Sequence, residues 1–393
     1  MYVPADKRSA ATTPARESAA TATATAGPAR RKIVLLQTQA EAAGAQEISR
    51  TLGRELTARG CDVHTVFLFR RTAAFDDYPQ VTFCARQRPA GILSTARMLV
   101  ALLRYLQKVK PDAVMCFQHY GNVIGAVAAR LAGVKVIIAN RNTPQHGIPA
   151  WLNLVDYAFG ATGLFTRVVV NSRAVEDEYR SYPRTYLRRI ERIDHGFDLR
   201  TTTLGRDAAR RLFALPESAT LIGCVARLHP GKNLAAAIRL LPADPRWHFA
   251  VAGQGSERAA LEQLARSLGV ADRFHLVGEL SPDQIGPFLR GLDAFVFPSL
   301  GETFGLAVVE AAQAGIPVVA NDIVVLREVL EAGGGPCAVF TDANDTAALT
   351  AAVRSVLGDK ILSARLTSRG AALKDRYSIT AMADRYFALI MDV

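Results

Sequence analysis

The chain is poor in cysteine and has no paired-cysteine motif. Its five cysteines (Cys61, Cys84, Cys116, Cys224 and Cys337) are odd in number, and no two form a C-x-x-C pair. This excludes a disulfide framework or a cysteine-built zinc site and suits a reducing compartment. Long apolar runs are also missing. Lys or Arg interrupts every stretch that approaches the roughly 20 residues a membrane-spanning helix needs. No D-x-D motif follows a strand, where a metal-bound diphosphate would need one, and Asp76–Asp77 falls in a polar loop. No basic segment is interleaved with aromatics, which argues against a nucleic-acid binder. The expectation is a soluble intracellular protein, large enough at 393 residues and 50% hydrophobic for two domains.

Charge is present but unevenly spread. Residues 1–198 carry 27 Lys/Arg against 16 Asp/Glu, whereas residues 199–393 carry 20 of each. The whole excess of +11 therefore belongs to the first half. Such asymmetry suggests that this half meets something anionic, such as a membrane face, a phosphorylated lipid or nucleic acid. An Arg-rich codon bias is the plainer explanation, but it would have affected both halves. The first thirty residues are rich in Ala, Thr and Pro, without aliphatic periodicity, and are expected to form a disordered arm. Asp6, Glu17 and three prolines weigh against a transit peptide.

After that arm, apolar strand patterns alternate with amphipathic helix patterns. "RKIVLLQ", "DVHTVFLF", "DAVMCF", "VKVIIA" and "RVVVNS" are strands of the first half; "TLIGCVAR", "WHFAVAG", "FHLVG", "AFVFPS" and "PVVAND" are strands of the second. This spacing predicts an α/β protein with two doubly wound parallel sheets, over residues 31–198 and 199–375, and a final helical segment, 376–393, returning to the first domain. The break falls near the polar stretch 195–207. Two such domains would face each other across a central cleft, with ligands at the carboxyl ends of the strands.

The segment "SLGETFGLAVVEAAQAGIPVVAND" (299–322) carries two carboxylates, Glu302 and Glu310, with seven residues between them. Gly305 predicts a helix start near Phe304, whose free N–H groups favour a diphosphate. Glu310 would then lie roughly 9 Å along that helix, within reach of the vicinal hydroxyls of a ribose. Glu302, before the helix, is placed for hydroxyls on the other side of the phosphates. A plainer alternative pairs Glu310 with a structural arginine and leaves Glu302 to cap the turn. "VARLHPGKN" supplies Arg227 and Lys232 on strand-end loops, two cations suited to a departing diphosphate. "VAGQGSER" ends a strand in Gly253 and Gly255, which suits either a tight turn or close approach of a nucleotide.

Together these residues resemble the family 4 retaining glycosyltransferases of GT-B fold, over nearly the whole chain after residue 30. The resemblance implies that Arg227 and Lys232 hold a nucleotide diphosphate and that Glu310 binds the ribose. It implies that Glu302, with the backbone of Thr303, Phe304, Gly305 and Leu306, holds the donor sugar and phosphates, and that Val277 and Gly278 cradle the base. Gly44 matches the family's glycine-rich first loop, although Ala43 stands where a second glycine is usual. His119 in "FQHYGN" matches a cleft histidine, with an ordinary loop histidine as the alternative. Arg141 in "NRNTP" matches an acceptor-side arginine, although Asn140 stands where Glu is more usual. "ANDIVVLREVL" has the shape of the late donor loop without its paired glycines.

The implied reaction is metal-independent transfer from a nucleotide-sugar, uridine being the expected base, with retention of configuration and no cofactor. The expected acceptor is a glycan or a polyprenyl-diphosphate-linked one, as in cell-surface polysaccharide synthesis. The enzyme would be cytoplasmic and peripheral to an anionic membrane, which the five arginines of 180–192 suit better than the helix over 92–110, for which ordinary packing on the sheet is the alternative. A sugar-nucleotide epimerase of the same architecture and a catalytically silent scaffold are the alternatives.

Overall fold

The computed structural model describes residues 30–41, 44–72, 80–141 and 148–391. Residues 1–29 of the expected arm, Ala43, Asp76–Asp77 and residues 142–144 lie outside the described residues. Arg31–Val393 forms one compact unit containing two parallel sheets.

The first sheet has seven strands: β1 (Lys32–Ala40), β2 (Asp62–Arg70), β3 (Val81–Ala85), β4 (Ala113–Phe117), β5 (Val136–Arg141), β6 (Arg167–Val170) and β7 (Ile190–Arg192). Their order is β3-β2-β1-β4-β5-β6-β7, and every pair is parallel. Residues 33–36 of β1 are fully buried because helices cover both faces, the condition under which a strand reads as a continuous apolar run. Ile33 and Leu35 face the helix Gly44–Ala58, while Val34 and Leu36 face the helices Ile92–Val109 and His119–Leu131.

The second sheet repeats the plan. β8 (Thr220–Val225), β9 (Trp247–Ala252), β10 (Phe274–Gly278), β11 (Ala294–Phe297) and β12 (Val318–Asn321) are followed by a small antiparallel ladder of β13 (Glu331–Ala332) and β14 (Gly335–Pro336). β15 (Ala338–Thr341) then completes the sheet, in the order β10-β9-β8-β11-β12-β15. In each sheet the winding reverses beside the first strand, at β1/β4 and at β8/β11. Such switch points open a crevice at the strands' carboxyl ends.

The chain passes between the domains twice, and the two passages touch. Phe197 N–H donates to the Tyr377 carbonyl at 3.4 Å, and a side chain at Gly196 would overlap the backbone of Ser378 and Ile379. The last helix, Ile379–Met391, then packs on Gly44–Ala58, adding Met382, Ala383, Tyr386, Leu389 and Ile390 to the first domain's core.

Five strands escaped the sequence pattern: β3, β7, the short pair β13 and β14, and the second sheet's edge strand β15. β3 closes one edge of the first sheet with five half-buried residues, and β7 closes the other with Ile190 alone among charged neighbours. Edge strands need only one apolar face, so their period is faint. β7 also changes the reading of the Arg-rich stretch. Arg180 pairs with Asp177 at 2.8 Å, Arg192 pairs with Glu176 at 3.1 Å, and Arg189 donates to the Gly160 carbonyl at 3.0 Å. Of the five arginines, Arg184 and Arg188 are exposed without such ties among the described residues.

Candidate functional site

The carboxyl ends of β1, β4 and β6 face those of β8 and β11 across a cleft of about 390 Å³. On the second domain's side it is lined by Val225, Ala226, Arg227, Lys232, Phe297 and Glu302 through Ala307.

Two loops build the charged part of that wall. After β8, a 3-10 turn over Pro230–Lys232 is fixed by Gly231 N–H donating to the His229 Nδ1 at 3.1 Å. The Gly231 carbonyl accepts from Leu300 N–H at 2.9 Å and Ser299 Oγ at 3.2 Å, which ties this turn to the loop after β11. The tie brings the Lys232 ammonium into an ion pair with Glu302, above the Phe297 ring. Arg227, exposed at the cleft, has no side-chain partner among the described residues. The wall thus presents one cation held by a carboxylate and one uncommitted.

Gly305 adopts φ 87° and ψ 57°, a left-handed conformation that a side chain resists. It delays the helix to Leu306–Gln313, two residues later than the sequence predicts, and leaves the N–H groups at the helix start facing the cleft. Glu310 lies one turn further in, 9% exposed. Its Oε1 accepts from Arg200 Nε at 2.8 Å. Arg200 Nη2 in turn donates to Glu47 Oε1 at 3.0 Å, and Glu47 is held by Arg50 as well. Burial raises the Glu310 carboxyl above the usual carboxylate range, with Arg200 opposing it. The Glu47 carboxyl is lowered, because two guanidiniums outweigh the burial that would raise it.

The glycine pair after β9 serves the protein itself. Gly253 has φ 151°, and a side chain there would overlap the Ala226 carbonyl; at Gly255 it would overlap that of Leu228. Leu228 N–H donates to the Gln254 carbonyl at 3.0 Å. The two glycines therefore let the 253–255 segment lie against the Arg227 loop, and Gly253 is not among the residues lining the cleft. Val277 and Gly278 end the edge strand β10, two strands from β8, and do not line this cleft.

The first domain's wall is made of neutral amides: Gln39, Gln46, Gln118 and Asn171, with His195, Glu41 and the backbone of Gly44. A side chain at Gly44 would meet Leu306 Cδ1 at 3.0 Å, so glycine allows the two domains to close together there. Gln118, with φ 64°, turns the chain sharply at the end of β4 and donates no cap to the following helix. His119 is the first residue of that helix, and burial together with Arg141 lowers its pKa to about 4. The imidazole is neutral at pH 7. Arg141 is not open to the cleft. It is 3% exposed, ion-paired with Asp156, and stands between the rings of Phe165 and Tyr179. Tyr186 Oη donates to Asp156 Oδ2 at 2.9 Å and completes the cage. The structure thus places Arg141 in a buried ion pair, where a guanidinium is retained by its carboxylate, and not on the cleft lining.

Most of this wall went unread, as did Ser172 behind it. Asn171 and Ser172 follow β6, and Ser172 Oγ donates to the Thr303 carbonyl at 2.9 Å, holding the loop that carries Glu302. His195, in the stretch read as a linker, lies 3.0 Å from Asn171 and 5.1 Å, ring to ring, from Phe304. Complete burial lowers its pKa to about 3, and Nδ1 has no hydrogen-bond partner. Their signal was positional, since each follows a strand of the first sheet.

Two family models match the chain, "Glycosyltransferase Family 4" over residues 42–201 and "Glycosyl transferases group 1" over residues 205–372. The chain belongs to the family 4 glycosyltransferases. It is similar to a D-inositol 3-phosphate glycosyltransferase of Geodermatophilus obscurus, 32% identical over 241 residues, 56% of this chain and 52% of that protein. It is also similar to the lipopolysaccharide core biosynthesis mannosyltransferase LpsB of Rhizobium meliloti, 30% identical over 46% of this chain and 54% of that one. The chain spans about half the length of these curated relatives. Among solved structures, Anabaena Alr3699/HepE in complex with UDP and glucose superposes with a TM-score of 0.81 at 17% identity, over 93% of this chain and 100% of that one. WaaG, a glycosyltransferase involved in lipopolysaccharide biosynthesis, superposes at 0.71 with 15% identity, over 92% of this chain and 100% of that one. These likenesses establish the two-domain GT-B fold.

Proposed function

We propose that this glycosyltransferase moves a sugar from a UDP-sugar to a glycan or polyprenyl-diphosphate-linked acceptor, with retention of anomeric configuration. The observation that carries the reading is the second domain's wall. Arg227, Lys232 and the helix start at Leu306 converge where a diphosphate would sit, Glu302 lies beside them, and Glu310 lies one turn further along the helix. The neighbour HepE, which holds UDP and glucose, supports uridine as the base.

When the diphosphate enters, Lys232 exchanges the Glu302 carboxylate for phosphate oxygens, and Glu302 is released towards the donor sugar's hydroxyls. The bond between the sugar's anomeric carbon and the phosphate oxygen breaks, and the acceptor oxygen forms its bond on the same face. The acceptor proton passes to the departing phosphate oxygen. Arg227 and Lys232 stabilise the negative charge that grows there, the task a metal ion performs elsewhere. His119 and His195, neutral at pH 7, contribute hydrogen bonds rather than charge.

The acceptor would approach along the first domain, whose outer helices also suit a membrane. No helix among the described residues is long and apolar enough to cross one. The helix Ile92–Val109 nevertheless leaves Ile92, Leu93, Leu99 and Val100 exposed beside Arg97, Arg104 and Lys108. The helix Ala150–Thr162 exposes Trp151 and Leu154. Apolar side chains flanked by cations bind an anionic interface, which makes the enzyme a peripheral protein of the cytoplasmic membrane face in this reading.

The test is calorimetric titration of UDP, GDP and ADP into the protein, with Glu310→Ala as control. Tight UDP binding that weakens in the variant is expected; binding of none of the three would overturn the reading.

A further inference from the structure

The segment joining the two domains carries an arginine that neither its position nor the resemblance marks out. Arg200 lies in the first passage between the domains, and its side chain is 11% exposed. It donates through Nε to Glu310 of the second domain at 2.8 Å and through Nη2 to Glu47 of the first domain at 3.0 Å. Glu47 is on the first helix, Gly44–Ala58, three residues from the point where Gly44 meets Leu306 across the cleft. Both carboxylates are largely buried, and a buried carboxylate keeps its charge and orientation only when a donor holds it.

Arg200 engages one oxygen of Glu310. Oε2 meets no protein donor among the described residues, and it is not among the sealed polar atoms that lack a partner. One edge of the carboxylate is therefore clamped, and the other stays open to a ligand donor. Vicinal hydroxyls would use that open edge.

We propose that Arg200 is a positioning residue for the donor ribose, orienting the open edge of Glu310 and tying that orientation to the first domain through Glu47. The inference rests on the donor reading of Glu310 given above. It gives the linker a part in binding: nucleotide affinity depends on the placement of the first domain's helix, although that helix contributes no charge to the diphosphate. It also explains why two carboxylates and an arginine, balanced in charge by Arg50, are kept in a passage where apolar packing would have held the domains together.

The experiment is titration of UDP and 2′-deoxy-UDP into wild type, Arg200→Gln, Arg200→Lys, Glu47→Gln and Glu310→Gln, across pH 5 to 8. Wild type is expected to prefer UDP. Arg200→Gln should bind UDP about 10-fold more weakly, the scale of a hydrogen bond to a charged group, and should lose most of the preference for the 2′-hydroxyl. Arg200→Lys should recover part of it. Because Arg200 opposes protonation of Glu310, UDP binding by Arg200→Gln should also fail at a higher pH than that of wild type as the pH is lowered. Glu47→Gln, which leaves the Arg200–Glu310 pair intact, should show a smaller loss in the same direction. If Glu310→Gln loses the 2′-hydroxyl preference while Arg200→Gln and Glu47→Gln keep it, the positioning role is overturned and the donor reading stands. If Glu310→Gln itself binds UDP as wild type does, the donor reading falls, and the role of Arg200 with it. Should Arg200→Gln not fold, as judged by thermal unfolding, Glu47→Gln decides: an unchanged preference there overturns the tie to the first domain.

Discussion

The two walls of the cleft solve different problems with different chemistry. The second domain has no net charge, yet its wall concentrates Arg227, Lys232, Glu302 and a helix start on one small surface. The first half of the chain carries the whole net excess of +11, yet apart from Glu41 its wall is built from amides and a neutral histidine. Net charge and local charge are therefore separate quantities. The first governs encounter with extended anionic surfaces, and the second governs where a diphosphate comes to rest. Part of that excess lies on the outer helix Ile92–Val109, at Arg97, Arg104 and Lys108.

The sharpest way to break this comparison lies in the first domain. If its wall uses no cation, Arg141 is structural. Arg141→Ala should cost about 3–5 kcal/mol in denaturant unfolding, the cost of leaving a buried carboxylate unpaired. A stable variant with a raised KM for the acceptor would return Arg141 to the ligand. On the opposite wall, Lys232→Ala should lower kcat about 100- to 1,000-fold, or roughly 2.7–4 kcal/mol in the barrier, with unfolding little changed. Arg227→Ala should follow the same pattern.

A pH profile separates the walls by another route. His195 and His119 have pKa values lowered to about 3 and about 4, by burial and, for His119, by Arg141 as well. The unfolded chain binds their protons more readily, near 6.5. Their contribution to stability is complete above that value and is lost as the pH falls from there towards 4 and below. His195→Phe should flatten the acid limb of stability against pH, while Lys232→Ala leaves it unaltered. The smallest effect is expected where the walls touch. Ser172→Ala removes both a helix cap and the bond to the Thr303 carbonyl. It should cost about 1 kcal/mol of stability, with a modest rise in donor KM.

The same contrast explains what was legible beforehand. The charged wall announces itself because its residues sit on consecutive strand-end loops. Glu302, Gly305 and Glu310 fall within nine residues, and Arg227 and Lys232 are five apart. Buried parallel strands such as β1 and β8 read as unbroken apolar runs, so both sheets were legible at their centres. The edge strands β3, β7 and β15 were not, since a half-covered strand needs little apolar content. The neutral wall was hidden for a different reason. Asn171, His195 and Gln118 are ordinary polar residues whose placement depends on how the strands stack. Arg141 was legible only in part, because a motif position fixes where a residue lies along the chain and leaves open whether its side chain faces the cleft or the Asp156 cage. Arg200 illustrates the limit most clearly, since its two partners are 153 and 110 residues away.

One measurement tests the division between the walls most directly: a crystal structure of the protein with UDP bound. The account predicts a diphosphate on the N–H groups at Leu306, with Lys232 drawn from Glu302 onto phosphate oxygens, Arg227 ordered against it, and the ribose on Glu310. A diphosphate held by the first domain's wall, with the Lys232–Glu302 pair intact, would contradict it.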